Sequence, residues 1–133
     1  MVSIDEVARL ASELPETEEG ARHGQLSWLV GGKAFAWERP FSKADLRRFG
    51  DEVPPSGPIL AVAVDDLAEK EAALQVHPAP FFTIPHFDGY SAVLIQLELV
   101  TTSELRDALV DGWLAVAPKR LAALHADSLV RCR

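Results

Sequence analysis

The fold is decided by Leu26-Ser27-Trp28-Leu29-Val30-Gly31-Gly32-Lys33-Ala34-Phe35-Ala36-Trp37. Two runs of aromatic and aliphatic residues flank a Gly-Gly pair, which is typical of a β-hairpin with a two-residue turn. A type I′ turn needs positive φ at both central residues, and glycine adopts that conformation without a Cβ clash. The hairpin places Trp28, Phe35 and Trp37 on neighbouring strands, where those that share a face become cross-strand neighbours.

The helices and strands around the hairpin are predicted from the spacing of apolar residues. An N-terminal helix is expected over Ser3–Leu14, capped by Ser3, with Pro15 ending it. A second long helix is expected over Ser103–Val116, capped by Thr102 or Ser103, and Pro118 should kink it or begin a second short helix that ends near Leu124. Between them lie predicted strands at Ile59–Val64, Phe81–Ile84 and Ala92–Leu99, and short helices after Ser42, with Leu46 and Phe49 inward, and after Asp65-Asp66.

This order of elements predicts the fold class. We expect one α+β domain over residues 1–133, with an antiparallel sheet and the N- and C-terminal helices packed on one face of it. Hydrophobic residues make up 48% of the 133 residues, enough for one core. The longest apolar run, Ile59–Val64, is too short to cross a bilayer, so no membrane is expected. The single cysteine, Cys132, allows no intramolecular disulfide and fits a reducing cytoplasm.

The charge of the chain is unevenly distributed. A formal net charge of −7 argues against non-specific binding to nucleic acid, because a phosphate backbone favours a positive surface. The segment Lys33–Arg48 nevertheless has five basic residues against two acidic ones, a net charge of +3. If they share a surface, these basic residues are the candidates for binding DNA weakly and without sequence preference: Lys33, Arg39, Lys43, Arg47 and Arg48.

The search for catalytic and metal-binding motifs is negative. The sequence has no Gly-rich phosphate loop, no Gly-x-Ser-x-Gly and no Cys-x-x-Cys, so we expect neither an enzyme nor a cofactor. His77 and His86 flank Phe81-Phe82 and could converge with Asp88 or Tyr90. Their spacing matches no compact metal-binding motif, so no metal site is predicted. The glutamates that follow the first helix, up to Glu19, are interpreted as a solvated helix end.

Three segments carry a family resemblance: Gly31–Pro40, Phe81–Tyr90 and Asp111–Lys119. In this order, and together with Leu14-Pro15-Glu16 at the end of the first helix, they resemble the MmcQ/YjbR family over nearly the whole chain. Where that family commonly has alanine before the C-terminal tryptophan, this chain has Gly112, which costs about 1 kcal/mol of helix propensity.

The resemblance implies a bacterial cytoplasmic protein with a CyaY-like α+β fold. It also implies DNA binding through a double-wing arrangement of β-hairpins, and it supplies no enzymatic activity and no set of binding residues. Two alternatives remain. One is a protein-interaction or small-ligand module that uses the aromatic loop 81–90, with Phe82, His86 and Tyr90 as candidates. The other is a metal-binding protein, by analogy with the frataxin fold alone.

Overall fold

The structure is a computed structural model that describes residues 2–131. Met1, Cys132 and Arg133 lie outside the described residues, and so does the prediction made for Cys132. The elements are α1 (Ile4–Ser12), β1 (Glu18–Arg22), β2 (Gln25–Val30), β3 (Lys33–Glu38), α2 (Lys43–Phe49), β4 (Ile59–Ala63), α3 (Leu67–Val76), β5 (Phe81–Phe82), a 3₁₀ turn (Pro85–Phe87), β6 (Ala92–Gln96), α4 (Thr102–Val116) and α5 (Lys119–Arg131).

The strands form one antiparallel sheet in the order β1-β2-β3-β4-β6-β5. The predicted hairpin is confirmed as β2 and β3, and its turn residues Gly31 and Gly32 have φ values of 60° and 79°. A bulge in the pairing changes the expected aromatic contacts, because Trp28 lies opposite Ala36 and Trp37 lies opposite Ser27. Trp28 therefore packs in the larger core, whereas Trp37 packs in a second cluster on the other face of the sheet.

The larger core lies between the sheet and the helices. Val7 and Leu10 of α1 and Leu109 and Trp113 of α4 are buried in it, so the prediction that α1 and α4 cover one face is confirmed. The Trp113 Nε1–H donates a hydrogen bond to the Pro15 carbonyl oxygen at 3.0 Å, which joins α4 to the chain that leaves α1.

Gly112 determines how closely α4 approaches the sheet. A Cβ at this position would lie 2.8 Å from Val62 Cγ1 of β4 and 3.2 Å from the Phe35 carbonyl oxygen of β3. The sequence suggested only a loss of helix propensity here. The structure shows in addition a packing reason for glycine, because the missing methyl group lets the helix backbone contact two strands.

The second face of the sheet is covered only in part. A smaller cluster packs Ile59, Ala61 and Leu94 of the sheet against Phe41, Phe49, Ile84 and Phe87, which come from the segments before and within α2 and from the loop after β5. These segments cover β4, β6 and β5. The β2–β3 hairpin has half-buried residues on this face, and this uncovered part of the sheet is the floor of the groove described below.

Several elements differ from the prediction. Glu18 and Glu19, interpreted from the sequence as part of a solvated helix end, lie in an additional edge strand, β1, which pairs with β2 along its length. The side chain of Leu46 was expected to point inward and is 46% exposed. Thr101, and neither Thr102 nor Ser103, caps α4, in a capping box with Glu104.

The C-terminal region and the last strand also differ in length. A separate helix, α5, begins after Pro118 and continues to Arg131, beyond the expected end near Leu124, and Leu121 anchors it in the larger core. The last strand, β6, ends at Gln96 instead of Leu99. Within residues 2–131, the helices are too short or too polar for any of them to cross a membrane.

Candidate functional site

An open groove lies across the uncovered part of the sheet and encloses about 1230 Å³. We call it the aromatic groove. Its most prominent feature is the pair formed by Trp37 of β3 and Tyr90 of the loop before β6, whose ring centroids are 6.5 Å apart with the ring planes at 79°. Tyr90 is 54% exposed although it lies against two other rings, those of Trp37 and Phe87. The groove is defined here by Leu29, Lys33, Ala34, Trp37, Arg39 and Tyr90.

Two cations lie at opposite ends of this groove. Lys33 is exposed at the start of β3, and Arg39 directly follows the end of the same strand, so their backbones are separated by about 20 Å of extended chain. Glu38 also lines the groove, and its Oε1 accepts a hydrogen bond from the backbone N–H of Leu26 at 2.7 Å. The groove therefore combines an aromatic centre with a positive charge at each end.

Arg39 is fixed in position by its neighbours. Its guanidinium forms an ion pair with Asp45 at 3.0 Å and lies 5.5 Å from the centroid of the Phe87 ring, and its side chain is only 19% exposed. Burial raises the pKa of Asp45, but hydrogen bonds from Ser42 and the charge of Arg39 outweigh it, so that the pKa lies below its ordinary value. Asp45 is thus an anion that completes the capping box of α2 and orients Arg39.

Lys70 anchors the loop that carries Tyr90. This lysine of α3 is 6% exposed, and its Nζ donates hydrogen bonds to the carbonyl oxygens of Phe87 at 2.6 Å and of Tyr90 at 2.9 Å. Burial lowers the pKa of Lys70, and the nearby charge of Asp88 opposes this effect. No sequence pattern indicates this role, because lysine is usually exposed and the two acceptors of Lys70 lie 17 and 20 positions further along the chain.

The basic residues proposed for DNA binding are divided between two places. Lys43, Arg47 and Arg48 lie on α2 and are exposed, and Arg48 is 3.7 Å from Asp45. Arg39 borders the aromatic groove near the start of α2, whereas Lys33 lies at the far end of β3. The fold therefore brings four of the five into one region and separates Lys33 from them.

The residues proposed for the aromatic loop are likewise divided. Tyr90 lines the aromatic groove. Phe82 is half-buried in the second cluster, 6.1 Å from the Phe41 ring, and His86 is exposed with its ring 6.0 Å from that of Phe87. Neither of these two lines the aromatic groove. The aromatic residue beside Tyr90 in the groove is Trp37, which the sequence suggested only as a structural residue.

A second groove lies on the helix-covered face, between α3 and α4, and encloses about 440 Å³. We call it the acidic groove, because five carboxylates line it: Asp65, Glu69, Glu104, Asp107 and Asp111. At one end His77 Nδ1 lies 2.8 Å from Glu104 Oε2. The backbone N–H of Thr101 lowers the pKa of Glu104, and His77 adds to that effect. Among residues 2–131, histidine, cysteine and acidic side chains form no group of three or more that could hold a metal ion.

Comparison with known proteins assigns the family. A family model described as YjbR matches residues 12–115. The chain belongs to the YjbR family. The match extends from the end of α1 through most of α4, so it includes Trp37, Arg39, Lys70 and Tyr90.

The chain has curated relatives of nearly the same length. "Uncharacterized protein Rv2570" of Mycobacterium tuberculosis and "Uncharacterized protein Mb2600" of Mycobacterium bovis are each 45% identical to it over 124 residues, covering 91% of this chain and 93% of theirs. The crystal structure of the Deinococcus radiodurans protein DR2400, a DUF419 domain, superposes with a TM-score of 0.65 at 20% identity. The superposition covers 98% of the present chain and 89% of the DR2400 chain. At 20% identity, it shows that the two proteins share a fold.

Proposed function

We propose that this YjbR protein is a cytoplasmic binding module and not an enzyme, and that it holds a small ligand with a flat apolar body and an anionic group in the aromatic groove. The observation that carries the proposal is the Trp37–Tyr90 pair, of which Tyr90 is 54% exposed, in a groove that has a cation at each end.

The aromatic pair suits a flat apolar ligand. Aromatic side chains prefer edge-to-face or offset contacts with other rings, and a ligand ring between Trp37 and Leu29 would gain both ring contact and apolar burial. Binding pockets for small molecules commonly enclose about 300–1,000 Å³, so the aromatic groove is large enough for such a ligand.

The cations favour an anionic group on that ligand. Arg39 already has its orientation set by Asp45 and the Phe87 ring, so it loses little side-chain freedom when it binds an anion. Lys33 forms no ion pair among the side chains that the structure describes and is free to contact a carboxylate or phosphate. Because Arg39 is partly neutralised, Lys33 should contribute more of the attraction over distance.

Chemical-shift perturbation with matched probes tests this proposal. We expect 2-naphthoate to shift the backbone amides near Trp37 and Tyr90, and the amine of similar shape, 2-naphthylmethylamine, to bind more weakly. Tyr90→Ala and Lys33→Gln should each weaken naphthoate binding, whereas Lys119→Gln, a matched change of an exposed lysine on α5, should leave it unchanged. Equal binding of both probes, or shifts confined to other surfaces, would contradict the proposal.

Weak binding of DNA is the second candidate function, and the exposure of Lys43 and Arg47 on α2 favours it. These two residues are one helical turn apart and form no ion pair among the described side chains. Contacts of this kind are electrostatic and insensitive to sequence, with a dissociation constant of about 10⁻⁴ to 10⁻⁶ M at physiological salt. The net charge of −7 should place the affinity at the weak end of that range.

Fluorescence anisotropy with a labelled duplex measures this second function. Replacing Lys43 and Arg47 by Ala should reduce the slope of log K against log salt by about 1.8, since each phosphate contact contributes about 0.9. The matched control is the Lys119→Ala and Arg120→Ala pair on α5, which should keep the slope. If the wild-type protein binds no duplex at about 50 mM salt, which favours electrostatic contacts, the DNA proposal fails.

A further inference from the structure

The loop between α2 and β4 holds an apolar side chain out in solvent. Val53 is 91% exposed, more than any other large hydrophobic residue that the structure describes. Two prolines follow it, and a residue before proline is restricted to extended conformations, so both Val53 and Pro54 are restricted in this way. Asp51 and Glu52 precede Val53, are exposed and form no ion pair with a described side chain. The segment Asp51–Pro55 is therefore acidic, apolar and stiff.

The loop is fixed on both sides of its exposed apolar residue. The backbone N–H of Glu52 donates a hydrogen bond to the Phe49 carbonyl oxygen at 2.9 Å, at the end of α2. On the other side, Ser56 Oγ donates to Glu98 Oε2 at 2.8 Å. A segment that is already held in place loses less conformational freedom when it binds. None of residues 51–55 lines the aromatic groove of its own chain, so that groove is open to a segment from another molecule.

The aromatic groove offers a surface that matches this segment. Its Trp37–Tyr90 pair presents aromatic rings, and proline-rich segments dock in grooves that such rings line. Lys33, at one end of the groove, forms no ion pair among the described side chains and is free to meet a carboxylate. The volume of about 1230 Å³ exceeds the usual range of about 300–1,000 Å³ for small-molecule sites, so the groove has room for a short extended segment.

We propose that a second copy of this chain docks its segment Asp51–Pro55 in the aromatic groove. Val53 and the two prolines would lie against the aromatic pair, and the two carboxylates would lie toward Lys33. Charge complementarity selects this occupant, because the groove has a free cation and the segment has two unpaired anions. The segment and the groove are different surfaces of one chain, so the contact is heterologous and can continue from copy to copy.

The net charge of each copy opposes this contact only at a distance. Two copies that each have a net charge of −7 repel one another. At about 0.15 M salt the screening length is about 8 Å, so most of this repulsion is removed while close contacts are screened less. Self-association should therefore be measured near physiological salt.

Both proposals need an open aromatic groove, and in that respect self-docking rests on the proposed function. They differ in the occupant, and their failures can be told apart. If 2-naphthoate binds in the groove and the chain stays monomeric, only self-docking is wrong. If the chain associates through the groove and 2-naphthoate does not bind, only the small-ligand proposal is wrong.

Sedimentation equilibrium of the full chain measures self-association. Concentrations should reach about 1 mM, because a contact of this size belongs to the weak, transient class. We expect the average mass of the wild type to rise with concentration. Val53→Ser and Lys33→Glu should each weaken association at least about fivefold. Both positions are exposed, so the variants should fold. Leu124→Ser and Lys119→Glu make comparable changes at exposed positions of α5 and should keep association. A monomeric wild type, or an equal loss in these controls, would overturn the proposal.

A mixture of the two variants tests the pairing of segment with groove. Lys33→Glu keeps the segment and Val53→Ser keeps the groove, so the mixture should form a heterodimer although each variant alone associates weakly. When only the Val53→Ser protein is isotope-labelled, the amide shifts should centre on Trp37 and Tyr90. When only the Lys33→Glu protein is labelled, they should centre on residues 51–55. A mixture that does not associate, or shifts that lie on other surfaces, would show that self-docking through this groove is wrong.

Discussion

Replacing Lys70 by Met tests whether the buried ammonium holds the loop of the aromatic groove. Met keeps the length and the apolar contacts of the side chain but donates no hydrogen bond. The variant therefore removes the bonds from Nζ to the Phe87 and Tyr90 carbonyl oxygens and leaves the packing of α3 nearly unchanged.

The expected loss of stability depends on which hydrogen bonds the Phe87 and Tyr90 carbonyl oxygens keep in the variant. A hydrogen bond from a charged donor contributes about 1.5–3 kcal/mol. Both acceptors keep a second partner, since Tyr90 N–H donates to the Phe87 oxygen at 2.9 Å and Ala92 N–H donates to the Tyr90 oxygen at 2.8 Å. The burial that lowers the pKa of Lys70 is a cost that the variant relieves. We therefore expect Lys70→Met to lower the free energy of unfolding by about 1–3 kcal/mol at pH 7.

The pH dependence has a sign that distinguishes this account from simple loss of packing. The pKa of Lys70 is below its ordinary value of 10.5 in the folded state. At a pH between the folded-state and the unfolded-state pKa of Lys70, the unfolded protein binds more protons than the folded protein. The free energy of unfolding of the wild type therefore rises with pH in this range, and the variant lacks this contribution. The difference in unfolding free energy between wild type and Lys70→Met should widen from pH 7 toward pH 10.5.

Urea unfolding followed by tryptophan fluorescence measures that difference. Hydrogen exchange should also show faster opening of residues 85–90 in the variant. The control is Lys119→Met, an exposed lysine whose loss should stay within about 0.5 kcal/mol. A difference for Lys70→Met that is no larger than for the control, or one that narrows as the pH rises, would refute the reasoning.

Two further predictions concern packing and acid stability. Gly112→Ala should destabilise the protein by about 1–3 kcal/mol despite the better helix propensity of alanine, because its Cβ would meet Val62 at 2.8 Å; a stabilised variant in urea unfolding would contradict this. The pKa of Asp45 and of Glu104 is lowered on folding, so their contribution to stability is present above their ordinary values and is lost as the pH falls through the lowered ones. Asp45→Asn should flatten the fall of unfolding free energy below about pH 4, and an unchanged fall in urea titrations would exclude Asp45 as a contributor.

The parts of the fold that the sequence predicted are those set by local chemistry. The Gly31-Gly32 turn, the Ser42 cap with Asp45 and the Asp66 cap of α3 each depend on residues within a few positions of one another. The strand β1 depends instead on pairing with β2, and its sequence Glu-Glu-Gly-Ala-Arg has little intrinsic preference for a strand. The strand conformation of residues 18–22 therefore depends on tertiary pairing with β2 and could not be predicted from local sequence.

The candidate sites show the same division. The sequence identified Tyr90 and the basic segment from Lys33 to Arg48, because aromatic loops and clusters of charge are visible along the chain. It did not identify Lys70, whose hydrogen bonds cross from a helix to a distant loop. The acidic groove was also missed, because its carboxylates come from two helices that are separated by two strands.

The helix α3 contributes neighbouring residues to both candidate sites, and this permits an internal control. Glu69 lines the acidic groove, whereas Lys70 anchors the loop of the aromatic groove. If Lys70 acts by holding Tyr90 in place, Lys70→Met should weaken the binding of 2-naphthoate and leave the chemical shifts of the Glu104 and Asp107 amides, in the acidic groove, unchanged. Nuclear magnetic resonance spectra of one protein sample measure both. Shifts of the Glu104 and Asp107 amides as large as those near Tyr90 would mean that the variant disturbs the contact of α3 with α4 as a whole, and the positioning role of Lys70 would then be wrong.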